Sequence, residues 1–145
     1  MRKYLLILAL GLWTSVATAV EVDQANLKEL ENSIGRCSEF MDPNEDLPPE
    51  DYYRRIEFAE NVQQCYINLG IKIFERYYRK KPESTEADLK QMRDLLRKRF
   101  TEVTAHSIYC KPRCGVQEYL VAEQNVTYAL ENYLRQTIKF LQTRR

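Results

Sequence analysis

Histidine and cysteine recur at a helical spacing in one part of the chain, His106-x3-Cys110-x3-Cys114. A neutral imidazole and two thiolates are ligands that zinc accepts, and on a continuous helix they would share one face. Pro112 lies between the two cysteines, however, and a proline inside a helix breaks that face. A fourth ligand would also have to come from the two remaining cysteines, which would leave one unpaired thiol. The spacing therefore favours disulfides, and we expect no metal and no cofactor.

Catalytic patterns are missing from the sequence. His106 is the single histidine, which excludes acid–base chemistry by a histidine pair. The chain has no Gly-x-Ser-x-Gly elbow, no phosphate-binding glycine loop and no His-Glu-x-x-His motif. Carboxylates that could act in pairs lie instead on polar helical faces near Lys or Arg: Glu29, Glu31, Glu57, Glu60 and Glu131. We therefore predict that the protein is not an enzyme and has no catalytic residues.

The N-terminal segment indicates the compartment. Arg2 and Lys3 precede an almost unbroken apolar run of ten residues, 4–13, and Ala17-Thr18-Ala19 follows. This is the layout of a secretory signal peptide with its small-residue cleavage site. The run is shorter than the roughly 20 residues that a membrane-spanning helix needs. We predict a cleaved signal over residues 1–19, a secreted, extracellular product and no stable membrane insertion.

The remaining chain, residues 20–145, is predicted to be a single secreted helical domain. Removing nineteen residues from the 145 of the chain leaves 126, enough for one hydrophobic core. The signal carries two of the 22 Lys and Arg residues, so 20 remain against 21 Asp and Glu. A formal charge near −1 gives no general attraction to nucleic acid, and we expect no nucleic-acid partner.

Hydrophobic periodicity predicts four helices, over residues 23–41, 49–81, 85–109 and 116–143. In the first, apolar residues recur at intervals of 3, 4, 3 and 4 from Leu27 to Met41. The third carries the stripe Leu89, Met92, Leu96, Phe100 and Val103. Breakers separate the segments, and the expected cap of the third helix is Ser84 or Thr85. The predicted fold is an all-α, antiparallel four-helix bundle stapled by two disulfides.

Four cysteines in an oxidising compartment predict two disulfides, with three possible pairings. In straight helices of ideal rise, about 12 residues, or ~18 Å, separate the levels of Cys37 and Cys65. Only about 9 residues, or ~13 Å, separate Cys65 from Cys110. We therefore expect Cys65–Cys110 with Cys37–Cys114. The alternative is Cys37–Cys65 with a local Cys110–Cys114 bridge.

Two surface features carry further predictions. Asn125-Val126-Thr127 is an acceptor sequence for N-glycosylation, and we expect a glycan on Asn125. Six cationic residues should gather at one end of the bundle: Arg76, Arg79, Lys80, Lys81, Arg144 and Arg145. Their position near helix C-termini fits simple dipole complementation. It also fits a basic end that meets anionic glycans or an acidic receptor patch.

The sequence leaves two functions open. The first is a non-enzymatic extracellular ligand or factor that acts on a protein partner through its surface. The second is a carrier of small hydrophobic molecules, whose cavity would be lined by Phe58, Tyr66, Phe74, Phe100, Tyr119 and Tyr133. The interval from Cys37 to Cys65 is similar to that of insect odorant-binding proteins, although Cys110-x3-Cys114 departs from their pattern. This resemblance implies that such a helical shell can enclose an apolar ligand, but it assigns no family.

Overall fold

Four α-helices account for nearly all of the residues that the computed structural model describes, 23–39, 51–105 and 114–144. They are α1 (Gln24–Glu39), α2 (Tyr52–Tyr78), α3 (Pro82–Ala105) and α4 (Cys114–Thr143). No strand occurs in these three ranges. The prediction of an all-helical fold is therefore confirmed for the described part of the chain.

Helix boundaries differ from the predicted ones for local reasons. The α2 helix begins at Tyr52, not Pro49, because Asp51 is its N-cap and accepts a hydrogen bond from the backbone N–H of Arg54 at 3.3 Å. The α3 helix begins at Pro82, so the expected cap at Ser84 or Thr85 is wrong. Proline suits the first helical position, where its missing N–H is not needed. Thr85 instead lies buried in the first turn.

The contacts between helices fix their directions. Asn26 and Cys37 of α1 lie beside Tyr77 and Cys65 of α2 respectively, so α1 and α2 are antiparallel. The α3 helix is antiparallel to α2 and to α4, whereas α2 and α4 are parallel. Among the described residues α1 and α3 make no contact with each other. They therefore lie on opposite sides of a central pair formed by α2 and α4.

The core is apolar along most of this central pair. Its largest fully buried residues include Tyr66, Ile67 and Ile73 of α2 and Leu130, Leu134 and Ile138 of α4. The α1 helix adds its predicted stripe, from Leu27 to Cys37. Gly70 allows a close approach, since a Cβ atom there would lie 2.6 Å from a methyl group of Leu89. The α3 stripe is less buried than predicted, and Val103 is 63% exposed.

One disulfide, Cys37–Cys65, joins α1 to α2 with 5.9 Å between the Cα atoms. The favoured pairing of Cys65 with Cys110 and of Cys37 with Cys114 is therefore wrong. That prediction placed the end of α1 level with the start of α2. In the structure Cys65 lies 13 residues after Tyr52, or about 20 Å along the helix, and α1 ends beside the middle of α2. Cys110 and the side chain of Cys114 lie outside the described residues.

Candidate functional site

A polar cluster crosses the bundle at the level of Gln63, where α2, α3 and α4 meet. The side-chain amide of Gln63 donates hydrogen bonds to a carboxylate oxygen of Glu123 at 2.8 Å and to the hydroxyl of Thr127 at 3.2 Å. All three residues are fully buried. Arg97 of α3 donates two hydrogen bonds to the same carboxylate, one of them from Nη2 at 3.1 Å. We call these four residues the polar cluster.

The charges of the polar cluster compensate each other. The hydrogen bond to Glu123 raises the pKa of Arg97, against the opposing effect of partial burial. Burial raises the pKa of the nearby Tyr119 hydroxyl, and the negative charge of Glu123 adds to this effect. Glu123 thus has an ion pair and hydrogen bonds that fix its position. This arrangement suits a tie between helices and gives no free acid or base for catalysis.

The polar cluster is not predicted by any of the sequence patterns described above. Glu123 and Thr127 are four residues apart, and Leu130 follows at the next helical interval, so all three share a face with the core of α4. A carboxylate on the core face of a helix can be recognised in the sequence, and it indicates a buried polar interaction. The partners Gln63 and Arg97 lie on other helices, and no local pattern connects them to Glu123.

The six aromatic residues proposed as cavity lining lie at several levels of the bundle. Tyr66 is buried in the core and donates a hydrogen bond to Glu131 at 3.2 Å; burial raises its pKa, and Glu131 adds to this effect. Near the end of α2, Phe74 stacks on Tyr133 with 6.2 Å between ring centroids. The other three, Phe58, Phe100 and Tyr119, are partly buried. The structure thus brings two of the six into ring contact, and the carrier function stays a prediction.

Open grooves mark the surface of α3. One of about 430 Å³ lies on the side facing α4, where Arg97, Thr101 and Tyr119 contribute to its wall. A second, of about 370 Å³, is lined by α3 residues alone: Asp88, Gln91, Met92, Leu95, Leu96 and Arg99. Leu95 is 62% exposed there. Apolar surface of the bundle therefore faces outward on α3.

Cationic residues gather at the end of the bundle where α2 and α4 both terminate. Gly70 lies against Leu134, and since the two helices are parallel, Tyr78 and Gln142 are level with each other. The basic end, as we name it, comprises Arg76, Arg79, Lys80, Lys81 and Arg144. The predicted gathering of these five is thus confirmed, and Arg145 lies outside the described residues.

Within the described part of the chain, three cations of the basic end have no counterion. Arg76 pairs with Asp23 at 3.4 Å, and Lys80 with Asp88 at 3.7 Å. Arg79, Lys81 and Arg144 make no ion pair with any described residue. The guanidinium of Arg144 lies 4.5 Å from the ring centroid of Phe140, which is itself 50% exposed. Among the described residues, the basic end thus presents three cations without an ion-pair partner, and one of them, Arg144, lies beside an exposed aromatic ring.

Some of the remaining candidates lie within the described residues and others lie outside them. Asn125 lies on α4 and is partly exposed, whereas Thr127 of the same acceptor sequence belongs to the polar cluster. His106 and Cys110 lie outside the described residues. Among the residues described, no group of three or more His, Cys, Asp or Glu side chains could hold a metal ion.

Comparison with known proteins does not assign the chain to a family. The helices of the described ranges include none that is long and apolar enough to cross a membrane. No family model matches the chain, and no curated protein or solved structure is significantly similar to it.

Proposed function

We propose that this chain is a secreted, non-enzymatic helical protein that acts through its surface as an extracellular ligand or factor. The observation that carries this proposal is the basic end. It combines the unpaired cations Arg79, Lys81 and Arg144 with the exposed ring of Phe140. Buried carboxylates, by contrast, are engaged in ties between helices, as Glu123 is with Arg97.

The proposed partner is an extracellular protein with an acidic patch. Unpaired guanidinium groups bind carboxylates through paired hydrogen bonds, and an exposed aromatic ring supplies apolar contact area beside them. Charges at the rim of an interface act chiefly on the rate of association and on its salt dependence. We therefore expect the complex to weaken as ionic strength rises.

The compartment is part of the proposal. A disulfide between Cys37 and Cys65 is compatible with an oxidising, extracellular location. We propose that residues 1–19 are removed as a signal peptide. We further propose that Cys110 and Cys114, the two cysteines that remain, form the second disulfide, and that Asn125 carries a glycan.

A capture experiment with matched variants tests the proposed function. The intact protein is used as bait in the extracellular fluid of its source, and bound proteins and lipids are both identified. The test variant replaces Arg79, Lys81 and Arg144 by glutamine. The control variant replaces three exposed cations on the sides of the bundle, Arg36, Lys72 and Lys98, by glutamine and therefore loses the same charge.

The proposal requires a protein that the natural chain and the control capture and that the test variant loses. Equal capture by all three proteins would refute a role for the basic end. Recovery of a stoichiometric apolar small molecule, with no captured protein, would favour the carrier function instead.

A further inference from the structure

The outward-facing groove of α3 contains a seam with the spacing of a coiled coil. Asp88, Met92, Leu95 and Arg99 follow each other at intervals of 4, 3 and 4 residues and all line this groove. Such spacing places side chains along one stripe of a helix, where a second helix can pack. We call these four residues the α3 seam. Its two central residues are apolar, and its two end residues carry opposite charges.

We propose that a second copy of this chain covers the α3 seam, with the two α3 helices antiparallel. A two-fold axis between residues 93 and 94 places Asp88 opposite Arg99 of the second copy. The same axis places Met92 opposite Leu95 of the second copy. Because a two-fold interface repeats every contact, each dimer gains two ion pairs and two apolar contacts from this one alignment.

The charges of the α3 seam favour this occupant. Arg99 is exposed and has no ion-pair partner among the described residues, and Asp88 has only the exposed Lys80 at 3.7 Å. A parallel pair of α3 helices would place Asp88 against Asp88 and Arg99 against Arg99. Like charges opposite each other oppose association, so the charge pattern selects the antiparallel orientation.

The two apolar residues at the centre of the α3 seam are suited to contact with the same two residues of a second α3 helix. Leu95 is 62% exposed, whereas Met92 and Leu96 are partly buried against the bundle core. In the antiparallel pair Leu95 packs against Met92 of the second copy on both sides of the axis. The dimer therefore removes the apolar groove from water without unpairing any charge of the monomer core. The overlap covers residues 88–99, and the basic end lies near the start of α3, where Lys80 contacts the α3 seam through its ion pair with Asp88.

Charge reversal tests the dimer. The self-association constant of the full chain is measured by sedimentation equilibrium over a concentration series. We expect a reversible dimer whose Kd rises by about tenfold or more in Asp88→Arg and in Arg99→Asp, since each reversal replaces two attractions by two repulsions. The double variant, Asp88→Arg with Arg99→Asp, restores opposite charges and is expected to return within about threefold of the natural Kd.

Two further measurements keep the test decisive if a variant is unstable. An equimolar mixture of Asp88→Arg and Arg99→Asp is expected to form heterodimers, because every facing pair is then opposite in charge; misfolded chains would not do so. Leu95→Gln is expected to abolish the dimer, whereas Tyr128→Gln, which changes an exposed aromatic residue on α4, leaves it intact. A monomer at all concentrations would overturn the proposal. A dimer indifferent to the reversals, or one not rescued by the double variant, would overturn it as well.

Discussion

Replacing Arg97 by methionine measures what it costs to hold the Glu123 carboxylate in the bundle core. Glu123 is 0% exposed, and Arg97 is the cation that contacts it. The variant leaves a buried negative charge that keeps hydrogen bonds from the side-chain amide of Gln63 and from the nearby Tyr119 hydroxyl but has lost its cation. Removing one partner of a buried ion pair costs about 3–5 kcal/mol. Because the Arg97 side chain is 24% exposed and water can approach, we expect about 3 kcal/mol, the lower limit.

A double-mutant cycle separates the ion pair from the packing around it. In Glu123→Leu the cation that remains is partly exposed and still lies 3.4 Å from Glu60, so we expect a cost of only about 1–2 kcal/mol. The double variant, Arg97→Met with Glu123→Leu, leaves no buried charge and is expected to lose about 1–2 kcal/mol, because Gln63 loses an acceptor. The coupling energy is then about 3 kcal/mol.

Urea unfolding followed by helical circular dichroism at neutral pH gives all four free energies. Arg135→Met is the matched control, because the 40%-exposed Arg135 pairs at 2.8 Å with the partly buried Glu131 of the same helix. An ion pair of this kind, one turn apart on a helix and open to water on the arginine side, contributes about 1 kcal/mol or less. A cost for Arg97→Met no greater than that for Arg135→Met would refute the assignment of a buried ion pair. A greater cost for Glu123→Leu than for Arg97→Met would refute it as well.

Three other predictions concern the backbone, the disulfides and the N-terminus. Arg79 ends α2 with a φ angle of 53°, a backbone conformation that favours glycine. Arg79→Gly is therefore expected to raise the free energy of unfolding, measured by urea denaturation, by about 1 kcal/mol. A loss of stability would contradict this. Peptide mapping without reduction is expected to yield a fragment joining Cys37 to Cys65 and another joining Cys110 to Cys114, whereas any fragment joining Cys65 to Cys110 would disprove the pairing. N-terminal sequencing of secreted protein is expected to begin at Val20 or within a few residues of it, and recovery of intact Met1 from the medium would exclude cleavage.

The fold was predictable wherever hydrophobic spacing is regular. The stripe from Leu27 to Cys37 repeats without interruption, and the residues Leu27, Leu30, Ile34 and Cys37 are all buried. The disulfide pairing was not predictable in the same way, because it depends on how far one helix slides along another. Residue spacing gives the length of each helix but not this offset. The offset follows from long-range contacts, such as that between Asn26 and Tyr77.

The polar cluster shows a second limit of sequence analysis. Charged residues are rarely buried without a partner, so sequence alone gives no general reason to expect Glu123 in the core. Its burial is favourable only because Arg97 and Gln63 converge on it from two other helices. The three residues are separated by up to 60 positions in the chain. Local periodicity can therefore mark Glu123 as a carboxylate on a core face, but it cannot identify Gln63 and Arg97, the partners that make its burial favourable.

The two interactions that join the helices, the Cys37–Cys65 disulfide and the polar cluster, lie at almost the same level of the bundle. Cys65, which holds α1, is two residues from Gln63, through which α2 meets α3 and α4 in the polar cluster. All four helices are thus fixed about the same cross-section, by a covalent bond on one side and an ion pair on the other. Arg79 lies 14 residues beyond Cys65, or about 21 Å along α2. Because sites this far apart act almost independently on stability, side chains of the basic end can change to suit a partner without weakening the ties that hold the fold.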